Sequence, residues 1–208
     1  MHLATGGFLD PQRLIETFGT IGILAIVFAE SGLLIGFFLP GDSLLFTAGL
    51  LAAQQRFGLN FAVLAPGCAI AAILGDQVGY LFGLRVGPAL FTRPRSRLFN
   101  PKHVVKAQKF FDDHGAKTII LARFVPIVRT FAPVLAGVGR MHYRTFVMFN
   151  VIGGIAWGIG VTTLGFLLGK RFPAIGDNLL YVSILIVLIS VLPIAYEVLK
   201  SRRQHAAD

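Results

Sequence analysis

The sequence predicts an all-α membrane protein built as an inverted repeat, in which each half has a surface amphipathic helix, a re-entrant hairpin and a transmembrane helix. The first observation behind this class is composition: 55% of the 208 residues are hydrophobic, 14% are charged, and mean hydropathy is +0.73. Soluble domains carry about 25% charged residues. We therefore expect a single membrane domain over residues 1–208, with no removable signal peptide. The second observation is a repeated order of segments, and the third is a pair of broken apolar segments that carry charges.

The first half of the chain, residues 1–84, is predicted to form the first repeat. It opens with a surface helix, because Asp10 suits the N-cap and Pro11 suits the first helical position. Gly19 can end that helix. A glycine-rich transmembrane helix over residues 61–84 completes the repeat.

Between these two helices we expect a re-entrant hairpin over residues 20–55. Glu30 and a break at Pro40-Gly41 interrupt the apolar segment. The apolar run after the break is shorter than the ~20 residues that a full crossing needs. Residues 20–39 alone are long enough to span the bilayer. A full crossing there is the alternative, and it would move the N-terminus to the cytoplasm.

The same order of surface helix, hairpin and span recurs in the second half. Pro126 and Pro133 each remove a backbone donor, so the apolar stretch that contains them cannot be one regular helix. Broken backbone at membrane depth must be buried in protein or line a wet cavity. The predicted segments are a basic loop with an amphipathic helix at 85–117, a second repeat at 118–170 with its hairpin at 118–138, a final C-terminal transmembrane helix at 179–199 and a tail at 200–208.

Lysine and arginine set the predicted orientation. Residues 85–117 contain eight of them against two acids, and the tail is also basic, so the positive-inside rule places both in the cytoplasm. Both basic regions can lie in the cytoplasm only if the hairpin at 118–138 enters and leaves the membrane on the same side. The first hairpin then enters from the opposite side, which is the topology of transporters with a site at mid-membrane. The net charge of +9 therefore requires no nucleic acid partner.

Four ionisable residues lie in the two broken segments, Glu30 and Asp42 in the first and Arg123 and Arg129 in the second. An arginine at mid-depth costs about 2.5 to 3.5 kcal/mol on insertion scales. The sequence therefore predicts one central site that presents two cations to an anion. The structural alternative is two ion pairs that hold the hairpins together. The residues expected to shape the hairpins are Pro40, Gly41, Pro126, Pro133 and Gly137.

Other polar residues are expected to have lesser roles. Asp76 is either a supporting residue of the site or a group near the cytoplasmic end of its span. Asn150 and Trp157 are possible supporting residues for which a packing role is favoured. The single cysteine, Cys68, excludes an internal disulfide, and the histidines lack metal-ligand spacing. We expect no metal and no cofactor, and the glycines spaced by four on the first span permit a homodimer without requiring one.

Three stretches carry a resemblance to a known family: ESGLLIGFFLPGDSLLFTAGLLA, GDQVGYLFGLRVGP and ARFVPIVRTFAPVLAGVGRMHYRTFVMFNVIGGIAW. In this order they resemble the DedA family, also called the SNARE-associated or VTT-domain family, over about residues 15–172. The resemblance implies a bacterial inner-membrane protein with two opposed re-entrant hairpins. It also implies lipid translocation, which in several bacterial members concerns polyprenyl phosphate and depends on the proton motive force.

The family's functional acids fall on Glu30 and Asp42, and its arginines fall on Arg123 and Arg129. Arginine stays charged and offers a donor fork to phosphate oxygens, so the two arginines are predicted to bind the phosphate. The two acids are predicted to couple protons. They would occupy the arginines when no substrate is bound, and one would take a proton when phosphate displaces it.

The predicted function is a flippase of undecaprenyl-type phosphate or a related anionic lipid, and its partners are that lipid, the surrounding membrane lipids and protons. No enzyme activity is expected, because no nucleophile accompanies the arginines as in a lipid-phosphate phosphatase. The alternatives are a proton-coupled cation antiporter and a non-transporting envelope scaffold.

Overall fold

The computed structural model describes residues 11–32, 41–90, 115, 118–123 and 126–172. Several predictions lie outside these residues: the helix start at Asp10, the break at Pro40, most of the basic loop, the last transmembrane helix and the tail. Every element in the described part of the chain is a helix, as the sequence predicts. The helices are α1 (Pro11–Gly32), α2 (Gly41–Ala53), α3 (Phe61–Leu90), α4 (Thr118–Ala122), α5 (Pro126–Val138) and α6 (Tyr143–Arg171), with a 3-10 turn at Arg56–Gly58.

Three helical segments are long and apolar enough to cross a membrane, namely Leu14–Gly32, Phe61–Val86 and Tyr143–Arg171. Their outward faces carry exposed aliphatic side chains, such as Ile70 and Leu164. A soluble protein rarely exposes apolar surface of this extent, whereas lipid accommodates it. The all-α membrane class is therefore confirmed for the described residues.

Helix α1 bends at Gly19, where φ is 56° and ψ is −153°. These torsions are open to glycine because it has no Cβ, and the bend lies where the sequence predicts the surface helix to end. The described helical part after the bend, residues 20–32, rises about 20 Å at 1.5 Å per residue. Helix α1 thus consists of two shorter helical parts that meet at Gly19.

The second broken segment forms two helices. Helix α4 ends at Ala122, and the N–H of Arg123 donates to the carbonyl of Ile120 at 3.2 Å in a turn. Helix α5 starts at Pro126, where the missing N–H would have had no partner in the helix. Pro133, in contrast, lies inside α5, and the helix continues through it to Val138. The stretch is therefore not one regular helix, as predicted, but it is broken before Pro126 and not at Pro133, although proline there cannot donate to the carbonyl four residues earlier.

The short helix α2, most of whose residues are buried, packs along α6. Gly49 of α2 lies against the backbone of Thr162, and Gly165 of α6 lies against the backbone of Phe46. A Cβ at either glycine would collide with main-chain atoms of the other helix. Small residues therefore bring the two backbones into contact, as at other close crossings in membranes.

Helix α5 packs along α3 in the same manner. Gly137 of α5 lies against the backbone of Tyr80, and Gly83 of α3 lies against the backbone of Val134. In both crossings, the residue that the partner's glycine contacts lies three residues before the helix's own glycine. Each short helix therefore packs on a long helix of the other half of the chain, with the same spacing.

Helix α3 lies between the remaining elements. It crosses α1 where Gly32 meets Gly75, and it crosses α6 where Gly158 meets Ala69. It also extends through Arg85 to Leu90, so the first residues of the predicted basic loop are helical. Arg85 is exposed, and an arginine at a helix end can keep its charged head in the polar region. Residues from α1, α2, α3 and α6 thus surround a common interior.

Replacing Gly165 by alanine should destabilise the protein, because the new Cβ would meet the backbone of Phe46 and force α2 away from α6. We expect a loss on the order of 1–3 kcal/mol, seen as a lower Tm of the purified protein in detergent. Gly160→Ala is the matched control on the same helix, since no described atom beyond the neighbouring turns of its own helix lies within 4 Å of a Cβ there. Equal losses in the two variants would contradict the close crossing.

Candidate functional site

Three side chains from three other helices meet around Arg129 of α5. Arg129 Nη1 donates to Asp42 Oδ1 at 2.5 Å, and Arg129 Nη2 donates to Glu30 Oε1. The guanidinium carbon lies 4.7 Å from the centre of the Trp157 ring, within the range of a cation–π contact. Trp157 Nε1 in turn donates to Asp42 Oδ1 at 2.9 Å. We call these four residues the Arg129 cluster.

The local chain positions each carboxyl of this cluster. Asp42 lies in the first turn of α2, where the helix dipole favours a negative charge. Glu30 lies near the end of α1, and its carboxyl group rests against the backbone of Gly41. A Cβ at Gly41 would overlap the Glu30 carboxyl. The glycine at this position therefore leaves the space that Glu30 occupies.

Arg123 belongs to a second group of side chains, which we call the Arg123 cluster. Arg123 Nη2 donates to Asp76 Oδ2 of α3 and, at 2.5 Å, to Asn150 Oδ1 of α6. Asn150 Nδ2 donates to the carbonyl of Ile73 at 3.1 Å. Asp76 lies in the middle of the Phe61–Val86 segment and is buried. The structure therefore places Asp76 beside Arg123, and its depth in the bilayer stays a prediction.

Gly153 of α6 makes room for the Arg123 side chain, because a Cβ there would lie 2.9 Å from Arg123 Cδ. The next glycine, Gly154, makes room for Ile73 of α3, whose Cγ1 would lie 2.4 Å from a Cβ, and Arg123 Nη2 lies 3.5 Å from the same point. Asn150, Gly153, Gly154 and Trp157 follow the i, i+3, i+4, i+7 spacing of one helix face. One face of α6 therefore contacts both arginines, through Asn150 in one cluster and Trp157 in the other.

The two clusters share no hydrogen bond in the described part of the chain, yet their charges interact. The charge of Arg129 acts on both Asp76 and Arg123. Together the clusters contain three carboxylates and two guanidiniums. The structure thus brings Glu30, Asp42 and Arg129 together, whereas it pairs Arg123 with Asp76.

The roles assigned to the site residues in phosphate binding and proton coupling stay predictions. Asp76, Asn150 and Trp157 contact the predicted arginines directly, which the sequence left open. The two glycines beside Arg123 were not predicted; the signal for them is a Gly-Gly pair in an apolar helix. Within the described ranges, no group of three or more His, Cys, Asp or Glu residues could hold a metal ion.

Removing Arg123 should destabilise the protein, because Asp76 would remain buried without its cation. We expect Arg123→Ala to cost roughly 3–5 kcal/mol, the usual effect of breaking a buried ion pair on one side. The Arg123→Ala/Asp76→Ala double variant should lose less than the sum of the two single variants. The measurement is unfolding in detergent, with exposed Arg171→Ala as a control that should change stability by no more than about 0.5 kcal/mol. Additive losses would show that the pair is not coupled.

Charged groups held between the helices of an apolar bundle, three of whose helical segments are long and apolar enough to cross a membrane, define an integral membrane protein with an ionisable interior. The pattern of the VTT domain matches residues 39–167, which include Asp42, both arginines and Trp157. The chain therefore belongs to the VTT-domain family, also called the DedA family, and the resemblance seen in the sequence is confirmed.

Relatives support this membership over most of the chain. Protein DedA of Escherichia coli K12 is 45% identical over 184 residues, which cover 88% of this chain and 84% of that protein. An uncharacterized membrane protein of Mycobacterium tuberculosis H37Rv is 49% identical over 191 residues, covering 89% and 83%. Another from Mycobacterium leprae is 48% identical over 170 residues, covering 82% and 75%. No solved structure matches the chain.

Proposed function

We propose that this protein is a transporter that moves an anionic lipid phosphate, of the undecaprenyl phosphate type, across the bacterial inner membrane and is driven by the proton motive force. The observation that carries the proposal is the position of Arg129 in the interior, held by carboxylates from two other helices. Buried ion pairs stabilise a fold no better than apolar residues of similar size. An interior arginine therefore favours a function over a purely structural role.

Phosphate recognition follows from the donors of Arg129. Its two terminal nitrogens donate to two separate carboxylates, and the same fork matches two oxygens of one phosphate. A headgroup that takes this place displaces a carboxylate, while the lipid tail stays in the hydrocarbon. The displaced carboxylate then needs another partner or a proton, because an unpaired charge in an apolar interior is costly. Phosphate binding and proton uptake are thereby linked.

The proposal includes two opposed re-entrant hairpins related by an inverted repeat. The support comes from the reciprocal crossings of α2 on α6 and α5 on α3, which have the same glycine spacing. Inverted-repeat transporters build their sites from interrupted helices near the bilayer midplane.

We propose that residues 85–117 and the C-terminus face the cytoplasm, because both regions are basic. A fluorescent protein that matures only in the cytoplasm should be bright when fused after Asp208. Alkaline phosphatase, which needs the periplasm, should be inactive at the same position. The reverse pattern would contradict the cytoplasmic position of the C-terminus.

A proton-coupled cation antiporter is the second candidate. The observation that favours it is the excess of acids, since the two clusters hold three carboxylates against two guanidiniums. The geometry of the acids argues against it, because each of the three already bonds to an arginine. A cation would have to compete with a guanidinium at each of these carboxylates.

Translocation of a fluorescent polyprenyl phosphate in proteoliposomes tests the proposed function. Wild-type protein should move the lipid, and an inward proton gradient should accelerate the movement. Arg129→Ala should slow it at least tenfold, equivalent to about 1.4 kcal/mol, and Arg129→Lys should also slow it because an ammonium group lacks the bidentate fork. Exposed Arg171→Ala is the matched control and should move the lipid at the wild-type rate.

The alternatives give different results in the same vesicles. Lipid movement that ignores both the gradient and the loss of Arg129 would contradict the proposal. Proton release driven by sodium or potassium, without lipid movement, would support the antiporter. A well-folded protein that does neither, and that tolerates Arg129→Lys in cells, would support the envelope scaffold.

A further inference from the structure

The two carboxyl groups of the Arg129 cluster have different hydrogen-bond partners. Asp42 Oδ1 accepts from Arg129 Nη1 at 2.5 Å and also from Trp157 Nε1 at 2.9 Å. Glu30 Oε1 accepts from Arg129 Nη2. Glu30 Oε2 rests against the backbone of Gly41, and no side chain in the described ranges donates to it. Asp42 therefore has a side-chain donor that does not depend on Arg129, whereas Glu30 has none in that part of the chain.

The carboxyl group of Glu30 is also more deeply buried than that of Asp42. The Glu30 side chain is 5% exposed, and the Asp42 side chain is 24% exposed. If Arg129 turned to a phosphate, Asp42 would keep the indole N–H and some solvent. Glu30 would lose its arginine partner inside the bundle, where an unpaired carboxylate is costly and takes a proton instead.

We infer that Trp157 keeps Asp42 ionised when Arg129 binds phosphate and thereby makes Glu30 the single group that takes up the proton. Trp157 is in this sense a positioning residue, since it acts through Asp42. The phosphate step rests on the function proposed above. The selection between the two acids rests on the hydrogen bonds and burial of the Arg129 cluster itself.

The charges balance with one proton per headgroup. Before binding, Glu30, Asp42 and Arg129 sum to −1. A proton from water then forms an O–H bond on the Glu30 carboxyl, and a monoanionic phosphate takes its place on the guanidinium. The sum for the protein and the headgroup is again −1. The interior therefore holds no more charge with the lipid bound than without it.

The neighbouring helices contribute no other cation to Glu30 within the described residues. The charged groups that face it are Arg129 from α5 and Asp42 from α2. On α3, which also packs on α1, Asp76 is bonded to Arg123. From α6 the group at the cluster is Trp157, whose N–H is directed to Asp42. When Arg129 binds the phosphate, Glu30 therefore has no other cation among the described residues and loses its charge by taking up a proton.

The number of protons taken up on binding tests this inference directly. Geranyl phosphate, a short water-soluble prenyl phosphate, is titrated into the full-length protein in nanodiscs by calorimetry, in two buffers of different ionisation enthalpy. A phosphate monoester carries about −1.5 to −2 charges at pH 7, so the ligand itself takes up part of a proton when it binds as the monoanion. Wild-type protein should therefore take up about one proton per ligand more than Glu30→Gln, as linkage requires when one protein group changes state. Asp42→Asn should match the wild-type uptake. Glu16→Gln, an exposed carboxyl on the same helix, is the matched control and should behave as wild type.

The role of Trp157 is tested in a background that lacks Glu30. Trp157→Phe keeps an aromatic ring for Arg129 and removes the N–H that holds Asp42. Glu30→Gln/Trp157→Phe should therefore regain proton uptake, now on Asp42. Uptake in Glu30→Gln equal to that of wild type, or uptake in Asp42→Asn as low as in Glu30→Gln, would overturn the assignment of Glu30. A double variant with no more uptake than Glu30→Gln would overturn the role of Trp157.

A failure of the proposed function would be recognised separately. If wild-type protein does not bind geranyl phosphate, lipid-phosphate transport loses its support, and the ligand-free protein is then titrated with acid and followed by infrared spectroscopy. The first protonated carboxyl band to appear should be absent in Glu30→Gln and present in Asp42→Asn. The opposite pattern would overturn the assignment of Glu30 independently of any ligand.

Discussion

The guanidinium of Arg129 bonds to α1 through Glu30 and to α2 through Asp42, and it stacks on Trp157 of α6. Inside an apolar bundle a charge must be paired, because leaving it alone costs far more than a hydrogen bond returns. The positions of four helices are therefore linked at one side chain. If Arg129 changed its bonding partner, the contacts that hold these helices together would change as well. Binding at Arg129 would therefore be linked to the relative positions of the helices.

Close backbone contact makes this charged interior possible. A bilayer supplies no hydrophobic force between helices, so their packing depends on small residues and polar contacts. Glycines at the crossings of α2 with α6 and of α5 with α3 bring the short helices against the long ones. Gly153 then admits the Arg123 side chain beside α6, and Gly154 admits Ile73 of α3. The absence of side chains at some positions thus determines where the charged side chains lie.

The two arginines differ in how firmly they are held. Arg123 follows a tight turn, bonds to Asp76 and Asn150, and is buried. Arg129 shares its cluster with one acid more than it can neutralise and with a more exposed Asp42. Exchange of partners is therefore easier at Arg129, and Arg123 is suited to fixing the connection between α4 and α5. This difference is the reason why the proposals above centre on Arg129.

Much of the fold followed from local chemistry: apolar composition defined the membrane class, Gly19 marked a bend and Pro126 marked a helix start. The family resemblance and the cost of burying charge singled out Glu30, Asp42 and both arginines. Sequence could not decide that Pro133 lies inside a helix, nor which acid pairs with which arginine. Asp76 and Arg123 are 47 residues apart, and Asp42 and Trp157 are 115 apart. Such contacts exist only because glycine-mediated crossings bring distant helices together, and only the tertiary structure contains those distances.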